Sequence, residues 1–201
     1  MANTHFSGPV LFSAARPTLE NLNIGTWPDQ TRFMDDFTGI LLDATNDWTV
    51  VKDSGASAAL QADALNGVVD LTSAATTDND GCSIQGNEIW GLPSTAGQRL
   101  YFEARFQMSD VDQMDMFIGV CENFATNPEA IFTASNRIGF QIDDGDATPH
   151  LITESSDSET DTTLSGTTYD LSDATDVTVS FVATKGTTTD KVKFYINRTL
   201  V

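Results

Sequence analysis

A histidine works as a general base near neutral pH only when a neighbour holds and orients its ring. The chain has two, His5 and His150. His150 follows closely on Asp143, Asp144 and Asp146, yet no serine stands in a nucleophile-elbow context, so His150 reads as a structural or exposed residue. Carboxylates offer a second chemistry, since glycoside hydrolysis takes two of them across a cleft. Glu103 is alone in its strand, and Asp110-Val111-Asp112-Gln113-Met114-Asp115 has no Glu and reads as a polar connection between strands. No catalytic residue is assigned, and the chain reads as a non-enzyme.

Three segments are rich in oxygen ligands: Asp78-Asn79-Asp80-Gly81, Asp143-Asp144-Gly145-Asp146 and Asp157-Ser158-Glu159-Thr160-Asp161. Calcium takes about six to eight such oxygens, but none of these segments fits the helix–loop–helix calcium pattern. No cofactor is assigned; a structural Ca2+ is the one ion these loops would suit. Cys82 and Cys121 lie far apart with no histidine beside them, which is no zinc or iron pattern. Each sits in an apolar, strand-like segment, where a free thiol behaves as a small hydrophobe. They would pair only if adjacent strands brought them together. Trp27, Trp48, Trp90, Tyr101, Tyr169 and Tyr195 are candidates for stacking on sugar rings, with core and edge packing as the simpler role.

The charge balance narrows the partners. Acidic residues number 29 against 10 basic ones, for a formal net charge of -19. Such a surface repels nucleic acid and anionic lipid, so neither is expected as a partner. Solubility explains it most simply; a halotolerant or marine setting, or attachment to a less acidic scaffold, explains it more sharply. Hydrophobic residues make up 40% of the chain, twelve Phe among them, which suits a folded core rather than disorder. Met1-Ala2-Asn3-Thr4-His5-Phe6 lacks the basic-then-apolar pattern of a secretory signal. The apolar runs are too short to span a bilayer, so synthesis in a cytoplasm is expected.

These residues must be carried by elements, and the period of the pattern names them. Residues 1–32 are punctuated by Gly8-Pro9, Arg16-Pro17 and Trp27-Pro28 and hold no sustained apolar period, so they read as an extended arm. Its apolar side chains, including Phe6, Val10, Phe12, Leu19 and Trp27, need burial on the protein's own body or on a neighbour. Residues 33–201 read as one β domain. Leu100, Phe102, Ala104, Phe106 and Met108 alternate with polar or amphipathic residues, as do Val177–Ala183 and Val192–Ile196. Met116–Cys121 is apolar on both faces and reads as a central strand. Asp143–Asp146 is expected to turn Ile138–Ile142 into His150–Thr153, and Thr184–Asp190 to join the two late strands. Further strand candidates are Asp47–Lys52, Gly67–Leu71, Cys82–Ile84 and Thr160–Leu164. Asn197-Arg198-Thr199 matches a glycosylation acceptor but reads as a hairpin turn. Asn127–Phe132 reads as a short helix capped by Asn127 with Pro128 at its first position. Leu60–Leu65 is a second helix candidate, and Glu154–Thr168 is polar enough to be mobile. Many short strands joined by polar turns predict an all-β, antiparallel, two-sheet sandwich.

Gln98-Arg99-Leu100-Tyr101-Phe102-Glu103-Ala104-Arg105-Phe106 and Asp190-Lys191-Val192-Lys193-Phe194-Tyr195-Ile196-Asn197 follow Asp36-Phe37 in an order that resembles the concanavalin A-like jelly roll of lectins, glucanases and laminin-G domains. The likeness spans about residues 36 to 201, with Arg198 standing where Gly is usual. That family's sugar-binding and hydrolytic residues find no match here. The opening Met1-Ala2-Asn3-Thr4-His5-Phe6-Ser7-Gly8-Pro9-Val10 resembles the start of structural proteins from tailed phages of marine bacteria. Together the resemblances imply a jelly-roll sandwich with an extended N-terminal arm, serving as a decoration or cement protein on the exterior of a phage capsid. The implied partners are the major capsid protein, gripped through Phe6, Val10, Phe12, Leu19 and Trp27, and further copies of the chain, for instance as a trimer. The alternative is a lectin-like, carbohydrate-binding module for host-surface recognition.

Overall fold

Leu100, Phe102, Ala104 and Phe106 are more buried than the charged Glu103 and Arg105 between them, so the chain must run extended there with one face on a core. The computed structural model describes residues 35–38, 42–44, 47–61, 67–73, 81–86, 94–124, 127–156, 158–164 and 169–201. The chain divides into two units, Met1–Asp35 and Asp36–Val201. The second unit is all-β. In chain order its strands are β1 (Trp48–Lys52), β2 (Ser57–Leu60), β3 (Val69–Thr72), β4 (Cys82–Gly86), β5 (Arg99–Phe106), β6 (Met116–Cys121), β7 (Asn136–Ile142), β8 (His150–Ser155), β9 (Ser158–Thr163), β10 (Val177–Thr184), β11 (Lys191–Ile196) and β12 (Thr199–Leu200). Among the described residues no helix is long and apolar enough to cross a membrane.

Every strand pairing is antiparallel. Where two sheets are expected, the described residues form four: β12-β11-β10-β5, β6-β7-β8-β9, and the two-stranded β1-β4 and β2-β3. The two larger sheets share one core. Phe140 of β7 meets Phe194 of β11 edge-on at 5.2 Å, Phe194 leans on Phe181 at 5.9 Å, and Phe181 stacks on Phe102 at 5.3 Å. Phe181 is 0% exposed and Phe140 1%. Burying each ring fully stabilises the fold by about 1.5–3 kcal/mol before the cost of ordering it.

The turns follow local chemistry. Gln141 faces His150 across the β7–β8 hairpin, and its loop carries Gly145 at φ 85. Thr184 faces Lys191 across the β10–β11 hairpin. Asn197 and Arg198 join β11 to β12 with φ of 47 and 68, the all-positive pattern of a tight two-residue hairpin. Asn197 also extends the neighbouring ladder: its N–H donates to the Thr178 carbonyl at 2.7 Å, and its Oδ1 accepts from the Thr178 N–H at 3.0 Å. Asn127 caps Pro128–Thr133, its Oδ1 accepting from the Glu129 N–H at 2.8 Å, and the segment winds as a 3-10 rather than an α-helix.

Three expectations need correction. Met116–Cys121, read as a central strand, ends its sheet: among the described residues β6 pairs with β7 alone, and all six of its residues are half-buried. Its inward Met116, Ile118 and Val120 pack on the core. Its outward Phe117 lies over Gly139, where a Cβ would fall 2.6 Å from the ring. Its outward apolar ring is thus covered in part by a neighbouring strand at a residue that lacks a side chain. Leu60, placed at the start of a helix, ends β2 opposite Val69. Long-range pairing with β3 overrides the local helical pattern there; residues 62–66 of that helix candidate lie outside the described residues. Within Glu154–Thr168, expected to be mobile, Ser158–Thr163 forms β9 and pairs along its whole length with β8. Backbone ladders do not require apolar side chains, and both carboxylates of β9 are anchored, Glu159 on Arg137 and Asp161 on His150.

Candidate functional site

Alternate residues of a strand face opposite ways. In β7, Ile138, Phe140 and Ile142 enter the core, which turns Arg137, Gly139 and Gln141 to the other face of the sheet. Register then sets Arg137 opposite Glu154, and Glu154 opposite Glu159, in one row across three strands. The Arg137 side chain is only 4% exposed. Its Nε donates to Glu154 Oε2 at 2.8 Å, its Nη2 to Glu159, and its Nη1 to Gln141 Oε1 at 2.9 Å and the Ile131 carbonyl at 3.2 Å. The guanidinium also sits 5.9 Å from the Phe117 ring centroid. A charge taken out of water must be paired and hydrogen-bonded, and here each guanidinium nitrogen has an acceptor. The cluster therefore clamps three strands and the 3-10 segment, and leaves the guanidinium no free fork for a ligand anion.

His150 lies on the same face, in β8. Its Nδ1 is 3.0 Å from both carboxylate oxygens of Asp161 in β9, and 3.4 Å from Thr163 Oγ1. Its Nε2 faces Asp143 at 3.7 Å and Asp146 at 4.0 Å. A relay triad sets the carboxylate on one ring nitrogen and the nucleophile on the other. Here carboxylates flank both nitrogens, and the Thr163 hydroxyl lies on the nitrogen already held by Asp161. The ring is wired as a tie between β8, β9 and the β7–β8 loop.

The loops beyond Phe106, Ile142 and Tyr169 gather aspartates that brace backbone. Asp173 accepts from the Val111 N–H at 2.9 Å, and Asp115 from the Asp144 N–H at 2.7 Å. Asp146 accepts from the Thr148 N–H at 2.8 Å, which holds its carboxyl below the usual range. A hydrogen bond with Asp112, with smaller contributions from desolvation and from the charges of Asp112 and Asp173, pushes the Asp110 carboxyl up. Asp110–Asp115 is thus a polar strand connection, as its sequence suggests. Among the described residues no group of three or more His, Cys, Asp or Glu is arranged to hold a metal ion. Of the calcium-loop candidates, Asp78–Asp80 and Asp157 lie outside the described residues, and Ser158–Asp161 is strand rather than loop.

A cleft of about 450 Å³ opens between the two large sheets, where β9 faces β11 and the residue after β12. One sheet lines it with Leu151 and Thr153 of β8 and Thr160 and Thr162 of β9, and the other side brings Val192 and Phe194 of β11, Val201 and the carboxylate of Asp190.

Arm residues Phe6, Val10, Phe12, Leu19 and Trp27 lie outside the described residues, as does Trp90. Cys82 and Cys121 are free and half-buried. Burial pushes both thiols up, Cys121 to about 11. Trp48 packs 5.5 Å from Phe37, Tyr101 donates to Glu103, Tyr169 packs on the core, and Tyr195 is half-buried. Sequence reasoning passed over Arg137. The signal was a lone arginine in phase with Gly139 and Gln141 on the polar face of β7, but its meaning needs the register of two hairpins. No family model, curated protein or solved structure matches the chain.

Proposed function

We propose that the chain is a non-enzymatic virion protein, a decoration or cement protein on the exterior of a phage capsid. The two larger sheets would be the layers of a jelly roll, and residues 1–32 an arm that docks on the major capsid protein. The observation that carries the reading is the commitment of the central polar cluster to structure: Arg137, Glu154, Glu159, His150 and Asp161 bind strands to one another. A rigid acidic body held this way suits a solvated scaffold better than a reaction centre. An extended arm can add backbone hydrogen bonds along a shell edge and seat Phe6, Phe12 or Trp27 in pockets. Repetition over a symmetric shell, with trimers at local three-fold positions, multiplies weak contacts. The lectin alternative asks for aromatic platforms open to solvent; among the described residues Trp48, Tyr101, Tyr169 and Tyr195 are each half-buried, and Trp27 and Trp90 lie outside them. The test is co-sedimentation of the full chain, and of a chain lacking residues 1–32, with shells assembled from the major capsid protein. Loss of co-sedimentation on truncation is expected; undiminished binding would reject the docking role of the arm.

A further inference from the structure

We propose that the outer edge of β9, with the cleft behind it, takes an extended peptide strand in which apolar residues alternate with Lys or Arg. Three observations converge on that edge, none of which depends on the capsid reading.

All six residues of β9 are exposed, and among the described residues its ladder has a single partner, β8. Its second row of N–H and C=O groups is therefore a template for another strand. The strand also has an unusual inner face. Thr160 and Thr162 stand opposite Thr153 and Leu151 and look into the cleft, where a core-facing strand would carry large apolar side chains. The cleft consequently stays partly open, with Val192 and Val201 half-buried. An added strand beside β9 would turn every second side chain toward that cleft, because the side-chain period of a strand is two.

The remaining side chains of the added strand would fall on the face of Glu159 and Asp161. That face carries Glu154, Glu159, Asp161, Asp143 and Asp146 against Arg137 and His150, and β9 itself has two acids and no base. Basic residues complement it, and the net charge of -19 steers them in. A second copy of the chain is the poorer occupant. Antiparallel pairing of β9 with itself would set Glu159 and Asp161 against the same residues of the partner, and like charges across a ladder repel.

The probe is acetyl-(Val-Lys)4-amide, titrated into the full chain while backbone amide exchange is followed residue by residue. Three control peptides separate the causes: (Val-Glu)4, (Ser-Lys)4, and (Val-Lys)4 carrying alternate N-methyl groups. The first should bind about tenfold more tightly than each control, weaken with salt, and slow exchange at the amides of Ser158–Thr163. Thr162→Phe, which fills the cleft, should lower its affinity by a similar factor while the thermal midpoint stays put. Equal affinity for the N-methylated or (Ser-Lys)4 peptide would mean charge attraction alone and overturn the proposal. So would protection confined to other strands, or a dimer of the free chain in which the β9 amides are already protected. The peptide comparisons and the exchange map use the unaltered protein, so they decide the matter even if the Phe variant fails to fold.

Discussion

Arg137 shows how one side chain can hold an element set together at a price that its removal would reveal. Its partners come from β8, β9, its own strand and the 3-10 segment. Taking away the buried cation leaves Glu154, whose side chain is 12% exposed, desolvated and unpaired, while the more exposed Glu159 is rescued by water; Arg137→Met should therefore destabilise the fold by about 3 kcal/mol, the low end for a broken buried pair, in urea unfolding. Adding Glu154→Gln and Glu159→Gln to that variant should recover much of the loss, since neutral amides are cheaper to bury than lone charges; a triple variant as unstable as the single one would contradict this. Cys121, opposite Arg137 in the ladder, gives the alkaline limb of stability. Burial, with help from the Glu122 charge and against the pull of Arg137, raises its thiol from an ordinary 9.0 to about 11. The unfolded chain then releases this proton at lower pH than the folded one. The stabilising contribution is complete below about pH 9 and disappears as pH rises toward 11. Tyr101, raised first by burial, acts in the same direction at still higher pH. Urea midpoints should fall across that window in the parent protein, and fall less in Cys121→Ser.

Among the elements, the β11–β12 hairpin carries the clearest strain. Both turn residues have positive φ, which Asn adopts more readily than Arg. Arg198→Gly should therefore stabilise the protein by about 0.5–1 kcal/mol, the relief of the left-handed conformation outweighing the added freedom of the unfolded chain. A lower urea midpoint in that variant would show that the Arg198 side chain has packing worth more than its backbone strain. The β6–β7 pair solves a different problem. Gly119 and Gly139 face one another across the ladder, and Phe117 covers the gap at Gly139, so a ring from the neighbouring strand takes the place of the missing side chain.

At the scale of the whole molecule, the chain carries 29 acidic residues against 10 basic ones. Their mutual repulsion opposes compaction, and salt screens it within about 10 Å at 0.1 M. Raising NaCl from about 0.01 M to about 0.5 M should lift the thermal midpoint by a few degrees, an effect seen in calorimetry. The ion pairs do not reverse this expectation, because Arg137 is buried from the screening solvent while the Arg105–Asp176 and Lys185–Asp190 pairs are exposed and contribute little. A midpoint that drops with salt would instead mean that exposed ion pairs outweigh the repulsion.

Local chemistry was legible in the residues alone. Period-two alternation located β5, β10 and β11 because side-chain direction in a strand depends only on the strand itself. Asn127-Pro128 placed the 3-10 segment, and Asn197-Arg198 the last turn, because caps and turns close within a few residues. What tertiary structure decided was register and neighbourhood. Arg137, Glu154 and Glu159 are unremarkable apart, and become a buried clamp only when two hairpins align them. Ser57–Leu60 is a strand because Val69–Thr72 lies beside it, and among the described residues Met116–Cys121 ends its sheet, with its outward Phe117 lying over Gly139. Burial and ion pairing are properties of contacts between residues distant in the chain, and no short stretch of sequence contains both sides of such a contact.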